Sequence, residues 1–496
     1  MLKRFLSVIL LICVIVSASS LMACGGDSGE SKVDGTTVQG DVPDNTDPDE
    51  PVDERAQYDP GFANVDMNGY VFKIGTRDDS THGYAFHTRD LYAESETGDI
   101  INDAVFRRNK AVEEKFNCVI EMVSFNETTN EKEANAIVQK SFLAGDYSFD
   151  LLMTHMSATV DSVSGYFQNW MTFPNIDLSK PYWSQGVSQG LSVDNKLYIA
   201  LSDLSFSANE NIYCILFNKN LLKNYEVESP YELVANNQWT FDKFNQIIKA
   251  ATADLDGDGA MGKADQYGYV NSNALNFLWS GGSHIAQKDA NDIPHMDYMT
   301  PKTIEIFSKV YDIVNNPDTY KAVEWFDEDA AKIFIDGRGL FYSSQLCRVN
   351  DLRAAEFDFG IVPYPKYDVS QTRYYSYIDG HASMMAIPQF VPNRENTGMI
   401  IEQLSYLSYK DILPSYFDVV LNVKVVRDQE SVDSLATLFD SKVIDFGYAY
   451  SSWELWFTFV DTIHKNNRDI VSAYEKIEAK SLKAMDDIVT KIKELE

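Results

Sequence analysis

The chain has 496 residues, 74 of them acidic and 42 basic, for a formal charge of −32. A surface that negative repels nucleic-acid phosphates and anionic lipid head groups, which excludes nucleic acid as a partner and favours a neutral or cationic ligand. The length supplies two or three domains' worth of chain, with ample material for sizeable cores.

The first element is residues 1–23. Lys3 and Arg4 form a charged start, Phe5 to Val16 an apolar run, and Leu21-Met22-Ala23-Cys24 closes with a small residue before a cysteine. The apolar run is shorter than the ~20 residues a spanning helix needs. This order resembles a bacterial lipoprotein signal peptide, and the resemblance implies cleavage after Ala23, a lipid on Cys24, and a body held on the outer face of the cell membrane through that anchor only. With Cys13 removed and Cys24 lipidated, Cys118, Cys214 and Cys347 remain, an odd number that implies no disulfide framework.

Residues 24–60 are Gly, Ser, Thr, Asp and Pro with almost no large apolar side chain, as in Asp41-Val-Pro-Asp-Asn-Thr-Asp-Pro-Asp-Glu-Pro51. Such a stretch cannot bury enough apolar surface to offset its ordering entropy, so a disordered acidic tether is expected. The body then starts with the strand Tyr70-Val-Phe-Lys-Ile-Gly75. Asp99 to Phe116 has helical spacing, with Ile100, Ala104, Val105, Ala111, Val112 and Phe116 on one side and Arg107, Arg108, Lys110 and Glu114 on the other. The strand Val119 to Val123, a helix from Glu131 to Ala144 and the strand Phe149 to Met153 follow. This alternation predicts an α/β fold with a parallel sheet and ligands at the carboxyl ends of its strands.

Further along, Leu197-Tyr-Ile-Ala-Leu-Ser-Asp203, Ile212-Tyr-Cys-Ile-Leu-Phe-Asn-Lys219 with Asn220-Leu-Leu-Lys223, and Gln238-Trp-Thr-Phe-Asp-Lys-Phe244 are followed by Gln266-Tyr-Gly268, Gly281-Gly282, Phe359-Gly-Ile-Val-Pro-Tyr-Pro-Lys366 and Lys424 to Ser431. In order and spacing these blocks resemble extracellular solute-binding proteins family 1, the group that includes maltose-binding protein, from Asp66 to the C-terminus. The resemblance implies a two-lobe periplasmic-binding-protein-like fold of type II, a hinge, a ligand cleft between the lobes, and delivery to the permease subunits of an ABC importer. Crossings are expected near Leu204 to Asn209, Thr300 to Ile304 and Ile378 to Ala382. These divide the body into an N-terminal lobe of 61–204 plus 305–378 and a C-terminal lobe of 205–304 plus 379–496.

Asp254-Leu-Asp256-Gly-Asp258-Gly259-Ala260-Met-Gly262-Lys-Ala-Asp265 places carboxylates at loop positions one, three, five and twelve with glycine at six. That spacing wraps oxygen ligands around Ca²⁺, with Ala260 offering its carbonyl, although Asp265 stands where a bidentate Glu is usual. A structural Ca²⁺ is expected; the alternative is an acidic surface turn that Gly257 and Gly259 permit.

No Gly-x-Ser-x-Gly, His-Glu-x-x-His or phosphate-cradling Gly-rich loop occurs, so a binding protein rather than an enzyme is expected. The supply of aromatic rings, carboxylates and amides suits a carbohydrate, whose C–H faces stack on rings while its hydroxyls bond polar groups. The resemblance implies as ligand-binding residues Arg77 and Asp78 after the first strand, His155 and Ser157 after the third, Glu210 and Asn211 at the first crossing, Asn271, Asn273 and Trp279 before the paired glycines, Tyr342, and Trp453 as a stacking ring. Thr154 and Asn211 depart from the maltose-binding pattern, which has an aromatic and an acid there, and so argue against maltose itself. His381 falls beside the same cleft, and Trp456 and Phe457 are expected to fill core. The reading is a monomeric, lipid-anchored capture protein for a carbohydrate, with an oligosaccharide preferred. A surface glycan-binding protein without a transporter and an extracellular glycoside hydrolase are the alternatives.

Overall fold

The structure, a computed structural model, describes residues 53–495 except 77–86, 125–130, 146, 157–161, 271–273, 323–326, 423–428 and 452. The signal segment, Cys24 and the tether to residue 52 lie outside the described residues. The end of the expected tether is ordered. Glu54–Tyr58 form a 3-10 turn capped by Asp53, Arg55 donates to the Tyr409 carbonyl at 3.0 Å, and Tyr58 packs edge-on against the Tyr409 ring. Two aromatic or cationic anchors in five residues are enough to dock a stretch whose composition otherwise reads as linker.

The first sheet follows the expected alternation. Strand β1 (Tyr70–Thr76), the helix Ile100–Phe116, β2 (Cys118–Ser124), the helix Glu131–Ala144 and β3 (Leu151–His155) succeed one another, and β1 pairs in parallel with both β2 and β3. The helix Ile100–Phe116 starts where the Asp99 side chain accepts the Asn102 N–H and ends where Asn117 turns left-handed at φ 45°. Its buried stripe is Ile101, Val105, Arg108, Asn109, Val112 and Phe116, whereas Ile100 is 55% exposed. The expected apolar face is therefore rotated. Arg108, expected in solvent, bonds the Asp90 carbonyl, Asn109 and Ser408 inside the protein, and burial lowers its guanidinium to about 10.

After Ser202 the chain leaves this sheet through the wholly buried 3-10 segment Asp203–Asn211 and enters a second sheet at β4 (Tyr213–Asn218). Next come β5 (Tyr267–Val270), the hairpin β6 (Ala286–Lys288) and β7 (Pro294–Met296), β8 (Thr319–Tyr320), β9 (Gly339–Gln345), β10 (Phe359–Val362) and β11 (Ser376–Tyr377). Five of these form one sheet in the order β10-β4-β9-β5-β8. All six residues of β4 are buried; Cys214 and Leu216 face one apolar core, and Tyr213, Ile215 and Phe217 face another. A strand covered on both faces reads as a continuous apolar run, as Ile212 to Phe217 does.

The chain returns through Ile378 to Ala382 to β12 (Ser383–Ala386), which pairs antiparallel with β3 and completes a first sheet of order β12-β3-β1-β2. Two of the expected crossings are thus observed: Ile212 bridges Ile378, and the Asp379 N–H bonds the Asn211 carbonyl at 3.0 Å. The expected crossing at Thr300 to Ile304 and the lobe boundaries built on it are corrected. Thr300 instead caps the helix Pro301–Val314, whose Ile306, Phe307, Val310 and Ile313 lie in the second core. Strands β9 and β10, which the sequence partition placed in the first lobe, pair with β4. Residues 379–422, expected in the second lobe, carry β12 and helices packed on Ile100–Phe116. From Gln429 the chain is again beside the second sheet: the helix Gln429–Asp440 packs on β10, and β13 (Lys442–Val443) pairs with β11. Cys118, Cys214 and Cys347 are buried free thiols. Among the described residues, no helix is long and apolar enough to cross a membrane.

Candidate functional site

The two crossings and the end of β3 meet in one polar cluster. From the first crossing Glu210 reaches the guanidinium of Arg89 at 2.9 Å, a cation that lies over the Phe206 ring at 5.2 Å. The neighbouring Asp90 accepts the Ser207 N–H, which ties the short helix His87–Leu91 to the crossing. Burial raises the Glu210 carboxyl against the pull of Arg89. Glu210 Oε2 and Asn211 Oδ1 are buried without a hydrogen-bond partner among the described residues. A buried acceptor left unpaired costs about 1–3 kcal/mol, so these oxygens have an energetic use for a donor.

The second crossing supplies Asp379 and His381. One Asp379 oxygen meets His381 Nδ1 at 2.5 Å and its backbone N–H at 2.9 Å; the other accepts the Tyr213 hydroxyl at 3.0 Å. Burial works to raise the Asp379 carboxyl, but the His381 and Tyr213 hydrogen bonds together hold it below its ordinary value. Burial and the same carboxylate push the Tyr213 phenol well up, so it stays a donor. The His155 ring sits edge-on to His381 at 4.9 Å. A side chain at Gly380 would come within 3.1 Å of the His155 ring, so glycine there permits the close approach. The Cys347 thiol is pushed up to about 12 by burial, which leaves it a poor nucleophile. The cluster can accept and donate many hydrogen bonds, and among these described residues it presents no activated nucleophile.

The structure brings together His155, Glu210 and Asn211 from the residues the sequence nominated. Arg77, Asp78, Ser157, Asn271 and Asn273 lie outside the described residues; they follow β1, β3 and β5 at their carboxyl ends. Trp279 is not on a free face. It is 1% exposed, stacked on Tyr377 at 4.0 Å and 12°, crossed by Tyr448, and its indole N–H donates to Asp445. Tyr342 likewise packs flat on Phe334 at 5.2 Å, because alternation along β9 turns it toward the helix Glu328–Ile335. Both are core rings in this conformation. Trp453 opens the helix Trp453–His464, and its side chain lies outside the described residues. Trp456 is buried as expected, whereas Phe457, expected in the core, is 38% exposed. Asp379, Tyr213 and Arg89 were missed. The signal available for Asp379 was the crossing assigned to Ile378 to Ala382, whose one carboxylate is Asp379.

The Asp-rich loop is well formed. Asp254 accepts the Gly257 and Gly259 N–H groups, and Asp265 accepts those of Leu255 and Gly262, which lower its carboxyl. Gly257 and Gly259 take φ 75° and 83°, the left-handed values that glycine adopts without strain. Oxygens of Asp254, Asp256 and Asp265 lie within 4.8 Å of one another, so these three fit a hard cation. Asp258 instead accepts the Ala260 N–H and stands outside that group.

Residues 110–405 match the family described as bacterial extracellular solute-binding protein. Among solved structures, the fold is similar to a cyclo/maltodextrin-binding protein complexed with maltotetraose (TM-score 0.53, 15% identity, 86% of this chain and 98% of that one). It is also similar to UspC of M. tuberculosis (0.54, 14%, 84% and 100%) and to an ABC transporter solute-binding protein from Thermotoga lettingae bound with α-D-tagatose (0.50, 12%, 85% and 100%). No curated protein matches the chain in sequence.

Proposed function

We propose, from the premise that this chain belongs to the bacterial extracellular solute-binding protein family, that it captures a carbohydrate between its two lobes and passes it to an ABC importer. The observation that carries this reading is the pair of buried, unpaired acceptors Glu210 Oε2 and Asn211 Oδ1. They lie on the crossing whose Asn211 carbonyl bonds Asp379, itself held by His381 and Tyr213. A polyol brings the hydroxyl donors those oxygens lack, and its remaining hydroxyls can bond the phenol and imidazoles. The ligands named for two structures of this fold, maltotetraose and α-D-tagatose, support a sugar; the preference for an oligosaccharide rests on the sequence resemblance. Cys24 carries the lipid in this reading, and the protein acts as a monomer.

The test is a thermal-shift screen of a glycan panel, followed by small-angle scattering with and without the best ligand. A glycan should bind with micromolar affinity, about −8 kcal/mol, and reduce the radius of gyration as the lobes close about the crossings. Binding without compaction would favour a surface glycan-binding protein, and turnover of the bound glycan would establish a hydrolase.

The Asp254 to Asp265 loop is proposed to hold Ca²⁺ through Asp254, Asp256 and Asp265. A bound ion would stabilise the folded state by mass action. Chelator should therefore lower the melting temperature of the parent and leave Asp256→Ala unchanged; coincident parent melting curves with and without chelator would refute the site.

A further inference from the structure

A cavity of about 820 Å³ lies against the first crossing, within the range of about 300–1,000 Å³ typical of small-molecule pockets. It is distinct from the cluster above. Asp203, Ser205, Ala208 and Asn209 line it, while Ser207, Glu210 and Asn211 of the same segment bond Asp90, Arg89 and Asp379. Its walls come from both halves of the protein: Tyr182 and Tyr409 from the first, Tyr375 and Lys442 from the second.

The charges on these walls are unusual for so acidic a chain. Arg55, Arg373 and Lys442 all line the cavity, and none has a carboxylate within ion-pair distance among the described residues. Arg55 bonds the Tyr409 carbonyl and lies 4.9 Å from the centre of its ring. Arg373 stands over the Tyr375 ring at 5.2 Å, and Lys442 donates to Asn209 Oδ1 at 2.9 Å. Lys288, also on the wall, is already paired with Asp292, and His284 is 3.9 Å from Asp445. The acids on the wall are Asp440, which is exposed, and Asp203, 9% exposed, which has no hydrogen bond to its carboxylate among the described residues. Burial lowers the Lys442 ammonium against the pull of Asp203 and Asp440, and with Arg55 and the exposed Arg373 on the same walls the cavity offers cationic donors that a bound oxyanion would engage by charge-assisted hydrogen bonds.

We propose that this cavity is a second binding site, for a small organic anion bearing a carboxylate or phosphate group held by Arg55, Arg373 and Lys442. The occupant touches cations of both halves, so its binding is linked to rotation of the lobes. Asp203 sets the pH dependence. Burial raises its carboxyl to about 6 against the opposing pull of Lys442 and Arg55, the charged groups that face it along with the Tyr409 phenol. Above that pH its negative charge repels the ligand; below it the neutral carboxyl can donate to the anion. Relative to Asp203→Asn, in which this group cannot titrate, the parent's affinity for a given anion should therefore rise as pH falls from about 7.5 to about 5.5, the anion's own protonation being common to both proteins.

Isothermal titration of the full chain with citrate and with inorganic phosphate at low salt tests the site and separates carboxylate from phosphate recognition. One-site saturable binding of at least one probe is expected, weakened at least tenfold by Lys442→Gln and by Arg373→Gln. The ratio of parent to Asp203→Asn affinity, read with the same probe at each pH, should increase at the lower pH, and a constant ratio would remove Asp203 from the site. Arg373 is at the exposed mouth, so its variant tests the site even where Lys442→Gln perturbs folding. No saturable heat with either probe, or binding that Arg373→Gln leaves unchanged, overturns the proposal. The outcome is independent of the glycan screen.

Discussion

Trp279→Ala is expected to destabilise the protein by about 3–5 kcal/mol, the cost of truncating a fully buried large aromatic. The indole is sandwiched against Tyr377 and crossed by Tyr448, so its removal leaves a cavity that two rings held by other contacts cannot easily fill. It also removes a donor from Asp445, whose carboxylate organises the N–H groups of Ile285, Ala286 and Gly447. Denaturant unfolding should show a lower midpoint with little change in slope. Trp279→Phe, which keeps a ring but no indole N–H, should recover part of the loss. A Trp279→Ala protein as stable as the parent but unable to bind glycan would reverse this assignment and restore Trp279 as a ligand-binding residue.

The second large effect is expected at Glu210. Glu210→Ala should cost about 1.5–3 kcal/mol of stability, the range for losing a hydrogen bond to a charged group, because Arg89 loses its carboxylate at 2.9 Å. The figure stays at that level because the Arg89 side chain is 33% exposed and water compensates in part. Glycan affinity should fall at least tenfold, about 1.4 kcal/mol. Glu210→Gln separates the two roles: it keeps shape and one acceptor, so stability should recover more than affinity if the carboxylate charge serves the ligand. Calorimetric unfolding and glycan titration on the same preparations read both. Unchanged affinity in Glu210→Ala would remove this crossing from the binding site.

Both predictions concern residues the sequence had placed in the same cleft, and the structure treats them differently for a reason local patterns do not carry. A tryptophan ahead of two glycines is equally compatible with a sugar platform and with core. Which it is depends on Tyr377 and Tyr448, roughly a hundred or more residues later, folding onto its face. Tyr342 is the same case, since strand alternation states that it opposes Phe341 but not which side holds the helix Glu328–Ile335. Glu210 and Asn211 were nominated through the family resemblance, and the structure shows that they close the buried segment Asp203–Asn211.

By itself the sequence determined the α/β alternation of the first sheet, the buried strand Ile212 to Phe217, the crossings at residues 204–209 and 378–382, and the glycine-permitted turn from Asp254 to Asp265. Each of these is written in periodicity, capping or turn chemistry over a few consecutive residues. Only the tertiary structure decided that β9 and β10 join β4, that residues 379–422 return to the first half, that Arg108 is buried, and that Asp379 meets Tyr213 and His381. Strand partners and the rotation of a helix about its axis are set by packing between segments far apart in the chain, and one strand's pattern is satisfied equally well by either sheet until its neighbours are in place.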